Sequence, residues 1–450
     1  MNRQLIHGTP ERTLAFDNSA VFPMTADVNN QAHLTLGGSD VHDLLAEFGS
    51  PLYVFDEATL RAMCRQFAGE FAALYPKSKV LYASKAFVNP AIVQLVAEEG
   101  LGMDVVSAGE VAIAKVGGAD PADLYFHGNN KTPEELDYSL DEGVGRFVID
   151  SFHELDLLNE KARARGVDQD VLLRLSPSVD PHTHVMTTTG ILDSKFGFSI
   201  ETGDAATAIR QALDASNLNL IGIHFHLGSP IFELEPYSIA VDAILTYLAP
   251  FKDEGLVLEE FSPGGGFAIG YLRDRLPPSV GAYAGAITTA MKARCADLGF
   301  GEPTLVIEPG RSIVGRAGVA LYTVGAIKDI PTVRKYVSLD GGMGDNIRPA
   351  LYDAAYEAVV ANRMDEAPAE VVTLAGKYCE SGDVLVKDIK LPRIESGDVI
   401  AIPASGAYAP SMASVYNLNP RPAMVMVNDG EARLIRRRET FADMMLQDVV

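Results

Sequence analysis

The sequence predicts an α/β fold in which a TIM-like (β/α)8 barrel is joined to a mainly β C-terminal domain. From residue 80 to 311, short β-rich runs alternate eight times with amphipathic helical stretches. Eight such units over about 230 residues match the usual size of a closed barrel, with an open doubly wound sheet as the structural alternative. After residue 312 the segments become short and β-branched and are separated by Gly, Pro, Asp or Asn, which is typical of an all-β domain.

Each predicted barrel strand is a short run of β-branched, aromatic and other apolar residues. In chain order these runs are VLYASKA (80–86), GMDVVS (102–107), DLYFHG (123–128), RFVID (146–150), VLLRLSPS (171–178), LIGIHFHLG (220–228), EEFSPGGG (259–266) and TLVIEPGR (304–311). Helices are predicted between them, for example over 89–100 and 132–143. The second of these begins with Thr132 as a cap and Pro133 at the first helical position.

The predicted domains are a barrel over 50–312 and a β domain made of 1–49 together with 313–450. Seven β-rich segments lie in the second part: GVALYTVGAI, KYVSLDGG, AEVVTLAG, GDVLVKDIKL, GDVIAIPASGAY, PAMVMVND and EARLIRRRE. Only residues 348–363 look helical there. The first ~50 residues are β- and turn-like, and we expect them to complete the sheet of this domain.

Composition and charge restrict the functional class. The 450 residues are 47 % apolar and 22 % charged, which is normal for a soluble globular protein, and the net charge is −23. Such an acidic chain is not expected to bind nucleic acid or an anionic membrane. Its three cysteines have no disulfide or zinc spacing, and no long apolar segment is present, so a soluble, cytoplasmic protein is expected.

Polar residues cluster at the carboxyl ends of the predicted strands, where (β/α)8 barrels carry their chemistry. In strand order they are Lys85, Asp104 with Ser107, His127, Arg174, His226, Gly264 to Gly266, and Glu308 with Arg311. Taken alone, Lys85 has two interpretations. It is either a lysine on the barrel rim with its ammonium in water, or a Schiff-base lysine, whose amine needs partial desolvation to become an unprotonated nucleophile. A structural barrel would need none of these residues in register, so their joint occurrence favours the second interpretation.

The neighbours of Lys85 indicate which cofactor it would hold. Gly264, Gly265 and Gly266 follow the seventh strand, where barrel phosphate sites lie, and Ser229 could add a hydroxyl donor. Glu308 ends an apolar strand; it either pairs with Arg311 or faces a protonated pyridine nitrogen. Together these features specify pyridoxal phosphate, whereas a substrate-imine aldolase would leave Glu308 unexplained.

Two histidines stand two residues apart on the sixth strand. His224 and His226 could form a metal pair, but no third ligand has a suitable spacing in the sequence, so no metal is predicted. An imidazole lying on the cofactor ring suits His226 better, and His224 is expected to be a core histidine.

The motifs together resemble one enzyme family over nearly the whole chain. They are YASKAF, GMDVVSAGE, FHGNNKTPEEL, DPHTHVMTTTGILDSKFGF, HFHLGSPIF, GGGF, EPGRS, NIRPALYDA, CESGD and GAYAPSMASVYN. In this order they resemble the diaminopimelate decarboxylases, which are fold-type III pyridoxal-phosphate enzymes related to alanine racemase and ornithine decarboxylase. The resemblance implies an alanine racemase-like fold and the conversion of meso-2,6-diaminopimelate to L-lysine and CO₂.

The resemblance also implies roles for individual residues. Cofactor contacts are implied for Lys85, Asp104, His226, Ser229, Gly264, Gly265, Gly266, Glu308, Arg311 and Tyr408. Substrate contacts are implied for Arg311, Arg348, Tyr352, Glu380 and Tyr408, and catalysis for Lys85 and Cys379. In this family the CESGD segment comes from the neighbouring subunit, so the resemblance implies a homodimer with its active sites at the subunit interface.

The sequence leaves two substrate classes open. A zwitterionic remote end needs both cations and a carboxylate, which NIRPALYD and CES supply. A same-fold decarboxylase of ornithine, lysine or arginine is the alternative. Pro230, Phe87 and Ala268 depart from the common family pattern, at positions that flank the cofactor.

Overall fold

The computed structural model describes residues 21–180, 189–190 and 192–449. Residues 181–188 and 191 of the DPHTHVMTTTGILDSKFGF motif (180–198) therefore lie outside the described residues. The first 20 residues of the predicted β domain lie outside them as well. The predicted architecture is confirmed: a closed eight-stranded parallel barrel is joined to a mainly β second domain.

The barrel is built from eight parallel strands that we number from first to eighth. They are Ser78–Ala83, Gly102–Val105, Leu124–Phe126, Arg146–Ile149, Gln169–Ser176, Leu218–His224, Glu260–Gly264 and Thr304–Ile307. The ring closes because the eighth strand pairs with the first, with Ile307 opposite Val80. All eight predicted strands are confirmed, but most end several residues earlier than predicted. Those end residues form the loops that carry the site.

The strands end where side chains cap the following helices. Asn89, Ser107, Thr132 and Ser151 each accept a hydrogen bond from a backbone N–H in the first turn of the next helix. At Thr132 the predicted cap is a full capping box with Glu135. These caps satisfy N–H groups that a helix start leaves unpaired, and thereby fix where each loop leaves its strand.

Helices surround the barrel, and apolar side chains fill its interior. The helices are Glu57–Leu74, Pro90–Glu98, Ala108–Val116, Pro133–Asp141, Phe152–Arg165, Asp204–Asp214, Glu235–Leu248, Val280–Leu298 and the short Arg311–Val314. The interior cluster takes one side chain from each of six strands: Leu81, Tyr125, Val148, Leu172, Ile221 and Val306. The barrel is therefore a packed core, open to chemistry only at its rim. Among the described residues, no helix combines the length and apolarity that crossing a bilayer requires.

The second domain is a nine-stranded sheet. Its strands are Leu52–Asp56, Gly318–Ile330, Arg334–Leu339, Val359–Val360, Glu370–Ala375, Val384–Leu391, Val399–Ile402, Ala423–Asn428 and Glu431–Arg436. The strand Leu52–Asp56 pairs with Gly318–Ile330 and Ala423–Asn428. By its pairing it belongs to this sheet, although the predicted barrel range starts at residue 50.

Two expectations about the second domain are wrong in detail. The helix predicted over 348–363 is only Arg348–Tyr352, because Asp353 adopts a left-handed conformation with φ 51°, and Val359–Val360 is a strand. The segment after residue 20 does not extend the large sheet. Its strands Asp27–Val28, Leu34–Leu36 and Ser39–Asp40 form a separate three-stranded sheet, followed by the helix Val41–Phe48. The chain ends with a further short helix, Phe441–Met444.

Candidate active site

A cavity of about 700 Å³ opens at the carboxyl end of the barrel. Its floor is formed by side chains from six strand ends: Lys85, Asp104, His127, Arg174, His224 with His226, and Glu308. All of these residues were singled out in the sequence. Parallel strands bring their carboxyl ends to one rim, so residues separated by more than 200 positions meet here.

Lys85 lies in the 3₁₀ turn Ser84–Ala86 that directly follows the first strand. The side chain has a large accessible surface, but that surface faces the cavity and protein surrounds the ammonium. Burial alone would favour the neutral amine, as the Schiff-base interpretation required. Instead the negative groups nearby, Asp104 foremost, outweigh burial and raise the pKa of Lys85. Burial also raises the pKa of Asp104, which makes it a stronger base than an ordinary aspartate.

A buried carboxylate interaction fixes the turn that carries Lys85. Ser84 Oγ donates to Glu110 Oε2 at 2.5 Å, and the backbone N–H of Val106 donates to the same oxygen at 2.7 Å. Glu110 thus ties the end of the first strand to the loop after the second strand. Lys85 and Asp104 are held side by side as a result.

Glu308 is a buried carboxylate with two hydrogen-bond donors. Ser262 Oγ donates to Oε1 at 2.9 Å, and His224 Nε2 lies 3.1 Å from Oε2. His127 Nε2 lies 3.5 Å from Oε1. Burial by itself would raise the pKa of Glu308, but the histidines outweigh it and hold the pKa well below its usual value. The carboxylate is therefore ionised and oriented, as a partner for a pyridinium nitrogen must be.

Arg311 does not pair with Glu308, contrary to one of the two interpretations of the sequence. Its Nε donates to Ser229 Oγ at 3.1 Å, and its Nη1 donates to the Tyr271 hydroxyl at 2.6 Å. Its guanidinium lies 4.5 Å from the centroid of the Tyr408 ring. Arg311 therefore contacts Ser229, Tyr271 and Tyr408 instead of the Glu308 carboxylate.

The histidines of the sixth strand have different partners. His226 lines the cavity, and its Nδ1 accepts from the Gly265 N–H at 3.2 Å, which fixes the ring. His224 contacts Glu308, and its ring centroid lies 4.8 Å from that of His127. The sequence offered no third metal-ligand candidate, but His127, His224 and Glu308 place three such atoms within 4.8 Å of one another. Because Glu308 already accepts from Ser262 and His224, this cluster acts as a hydrogen-bonded support for the carboxylate.

The glycine segment after the seventh strand forms a tight turn. Gly264 and Gly266 have φ of 73° and 102°, which favour glycine. At Gly265 a Cβ would lie 2.2 Å from the backbone oxygen of Glu308. Gly265 and Gly266 line a small annex of the cavity together with Ser229, Arg311 and Tyr408; Gly264 lines neither space but shapes the turn.

These features fit the predicted cofactor. The annex offers the glycine turn and the Ser229 hydroxyl to a phosphate group. The floor offers the ionised Glu308 to a ring nitrogen and His226 to a ring face. Three buried polar atoms of the floor residues, Asp104 Oδ1, His127 Nε2 and His224 Nδ1, have no hydrogen-bond partner among the described residues. Such atoms are expected where a ligand completes the site.

Replacing Gly265 with alanine is expected to lower the bound cofactor content several-fold. The new Cβ would collide with the backbone of Glu308, so the turn and the carboxylate would both move. Absorbance of the bound cofactor per chain, with a thermal melt, measures the effect. Gly69→Ala is the matched control: Gly69 lies in a helix with nothing within 4 Å of its Cβ position, so we expect full cofactor content and about 0.5–1 kcal/mol of added stability. Equal cofactor content in both variants would contradict this role for the turn.

A second group of residues forms the mouth of the cavity. Arg348 is buried; its Nη1 donates to the Tyr356 hydroxyl, and its guanidinium lies 4.8 Å from the centroid of the Tyr271 ring. Tyr352 and Tyr408 also line this region. Arg348 is therefore a buried residue of the cavity mouth, although it begins the helix Arg348–Tyr352. Tyr271 and Tyr356 were not predicted as site residues. The sequence feature that could have indicated them is their position a few residues after the GGGF and RPALYD segments.

Cys379 and Glu380 line neither the cavity nor its annex. Both side chains are exposed in a turn of the second domain. The Cys379 N–H donates to Asn417 Oδ1 at 2.9 Å, and the Glu380 N–H donates to the Tyr378 carbonyl at 2.8 Å. A single chain thus brings together the other predicted site residues but leaves these two on its surface.

Comparisons with known proteins identify the family of the chain. Residues 57–315 match the family described as "Pyridoxal-dependent decarboxylase, pyridoxal binding domain". The chain is 45 % identical over 426 residues to diaminopimelate decarboxylase of Bacillus subtilis, covering 94 % of this chain and 97 % of the relative. Among solved structures, diaminopimelate decarboxylase of M. jannaschii in complex with L-lysine is 37 % identical with a TM-score of 0.88, covering 95 % and 98 % of the two chains. A lysine/ornithine decarboxylase of Vibrio vulnificus, 23 % identical with a TM-score of 0.74 over 86 % and 96 % of the chains, shares the fold.

Proposed function

Because the chain belongs to the diaminopimelate decarboxylases, a family of pyridoxal-dependent enzymes, we propose that it converts meso-2,6-diaminopimelate to L-lysine and CO₂. The cofactor is pyridoxal 5′-phosphate. Since the product is L-lysine, the reaction belongs to lysine biosynthesis, and the free cysteines suit a cytoplasmic setting.

The observation that carries the substrate assignment is the pair of arginines at the mouth. Arg311 and Arg348 are both buried, and among the described residues their hydrogen bonds go to hydroxyl groups rather than to carboxylates. Two buried cations without an acidic partner favour an anionic group on the ligand. Diaminopimelate carries a carboxylate at the end remote from the reacting carbon. Ornithine ends in a bare amine there and has no use for two arginines.

When bound, pyridoxal phosphate supplies a cationic ring that takes up the electron pair left by the departing CO₂. Lys85 would hold the cofactor aldehyde, and the annex with Gly265, Gly266 and Ser229 would hold its phosphate. Glu308 would keep the ring nitrogen protonated. His226 would lie against the ring face.

The remaining residues act on the substrate. Arg311, Arg348, Tyr352 and Tyr408 would bind the distal carboxylate and so convert remote binding energy into orientation of the bond that breaks. The barrel would bind the cofactor, and the β domain would contribute residues that bind the substrate and residues of the dimer interface. A proton is then needed at the carbon that lost CO₂, and Cys379 or Lys85 would deliver it.

Cys379 and Glu380 would act in the cavity of a second subunit. Both are exposed and line neither the main cavity nor its annex, which supports a homodimer with shared active sites. Glu380 would meet the distal ammonium, and Cys379 would stand near the reacting carbon. The zwitterionic end of the substrate would then face two cations from one chain and a carboxylate from the other.

A panel assay tests the proposed function. We expect CO₂ release from meso-diaminopimelate to exceed that from ornithine, lysine and arginine by at least about 100-fold in kcat/KM, because only diaminopimelate satisfies both arginines. Purified holoenzyme is incubated with each compound, and CO₂ and amine products are quantified. Faster release from ornithine or lysine would assign the chain to the other substrate class.

A further inference from the structure

We propose that Tyr271 and Tyr356 are positioning residues that hold Arg311 and Arg348 together as one receptor for the distal carboxylate. The inference rests on the proposed function and deepens it. It assigns specificity for a remote carboxylate to two tyrosines in addition to the arginines that would contact the ligand.

The four side chains form one contact network. The Tyr271 hydroxyl accepts from Arg311 Nη1 at 2.6 Å, while the Tyr271 ring lies 4.8 Å from the Arg348 guanidinium carbon. The Tyr356 hydroxyl accepts from Arg348 Nη1. The two tyrosine rings meet edge to face, with centroids 5.4 Å apart and planes at 85°. Tyr271 therefore contacts both arginines, and Tyr356 fixes Tyr271 and Arg348 at once.

The charges explain why such a network is needed. Two guanidinium groups beside one cavity repel each other, and burial weakens the screening by water. A carboxylate between them would relieve the repulsion but would also use up the charge that a ligand needs. Phenol oxygens and ring faces stabilise the cations without neutralising them. The arginines thus stay ordered and available to an anion.

The pKa of the Tyr271 phenol agrees with this arrangement. Burial would raise the pKa of its phenol, but Arg311 and Arg348 outweigh burial and lower it. Tyr271 therefore interacts with both cations as an electron-rich group. A tyrosine that only filled space would have no such dependence on the two arginines.

The test compares two ligands that differ by one carboxylate. L-Lysine and cadaverine share the same amine chain, and only L-lysine carries the carboxylate that the arginines would bind. In Tyr271→Phe holoenzyme we expect the inhibition constant of L-lysine and the KM for diaminopimelate to rise about 10-fold, the typical loss of a hydrogen bond to a charged group. The inhibition constant of cadaverine and the cofactor absorbance should change by less than about twofold. Tyr356→Phe should give the same pattern and serves as an independent second variant.

Tyr336→Phe is the matched control. Tyr336 also lies beneath an arginine, with the Arg334 guanidinium 5.8 Å from its ring centroid, but it stands on the second-domain sheet away from the cavity. We expect wild-type constants for both ligands. Equal shifts for L-lysine and cadaverine, or unchanged L-lysine inhibition in both Tyr271→Phe and Tyr356→Phe, would overturn the inference. Failure of wild-type enzyme to release CO₂ from diaminopimelate would instead overturn the proposed function. The dissociation constants of L-lysine and cadaverine, measured from the change in cofactor absorbance on binding, would still decide the role of the tyrosines.

Discussion

Lys85→Ala holoenzyme is expected to lose at least about 10³-fold in kcat for diaminopimelate. The variant removes the amine that would bind the cofactor covalently and one of the two groups able to return a proton, and each such role contributes about 10²–10⁴-fold. The Lys85 ammonium faces the cavity near Asp104 and Glu308. Lys131 also lines the cavity, but its Nζ is held by the Val148 carbonyl at 2.8 Å and by Glu154 Oε1 at 2.7 Å. Steady-state CO₂ release, after reconstitution with excess cofactor, measures the loss. Borohydride reduction followed by peptide mapping should find the cofactor on Lys85 in wild-type enzyme and on no lysine in the variant.

Lys79→Ala is the control for this experiment. Lys79 lies on the same strand, but at the other end, where its Nζ lies 2.7 Å from Asp123 near the surface. Loss of an exposed ion pair costs about 1 kcal/mol or less, so turnover should stay near that of wild type. Full turnover in Lys85→Ala would remove the covalent role.

The same variant also tests whether two chains share a site. Mixed Lys85→Ala and Cys379→Ala chains should regain up to about a quarter of the wild-type activity, the statistical share of intact sites when subunits reassort at random. We expect this rescue because Cys379 is exposed and lines neither the main cavity nor its annex in its own chain. Absence of rescue, when labelled subunits are seen to exchange, would mean that each chain works alone.

The floor of the site could be predicted from the sequence because strand order determines it. A parallel barrel brings all strand ends to one rim, so Lys85, Asp104, His226 and Glu308 could be assigned to one site from their positions alone. The contacts between them could not be predicted. Whether Arg311 pairs with Glu308 or with Tyr271 depends on side-chain directions after the eighth strand, and periodicity carries no information on these.

Segments outside the barrel were predicted less well for a different reason. The helix expected over 348–363 has suitable helical residues throughout, but Asp353 turns left-handed and Val359–Val360 pairs with Val399–Ile402. Tertiary pairing of β-branched residues overrides local helix propensity there. Because the helix ends early, the chain turns and Tyr356 contacts Arg348. The wrongly predicted segment therefore includes residues at the cavity mouth.

Glu308→Gln is expected to lower kcat by about 10²–10³-fold, the usual effect of removing one electrostatic partner from a reacting group. The change keeps the shape of the side chain: the amide oxygen can accept from His224 Nε2 in place of Oε2, and the amide NH2 can donate to the Ser262 hydroxyl in place of Oε1. It removes the negative charge, and a neutral amide cannot keep a ring nitrogen protonated. Cofactor content should fall by less than about threefold, since the annex and Lys85 are untouched. Turnover per bound cofactor and the absorbance of the holoenzyme separate the two effects.

Glu260→Gln distinguishes a chemical role from a structural one. Glu260 is also a buried carboxylate on a neighbouring strand, but it accepts from Tyr125 at 2.9 Å and lies 3.3 Å from Arg146 at the opposite end of the barrel. We expect this variant to melt at a lower temperature because a buried charged network is broken, while its turnover per bound cofactor stays near that of wild type. The opposite pattern is expected of Glu308→Gln, whose His224 and Ser262 contacts preserve the fold. If the two variants lost turnover equally, the loss would follow from removing any buried carboxylate. Glu308 would then have no specific role as the partner of the cofactor ring nitrogen.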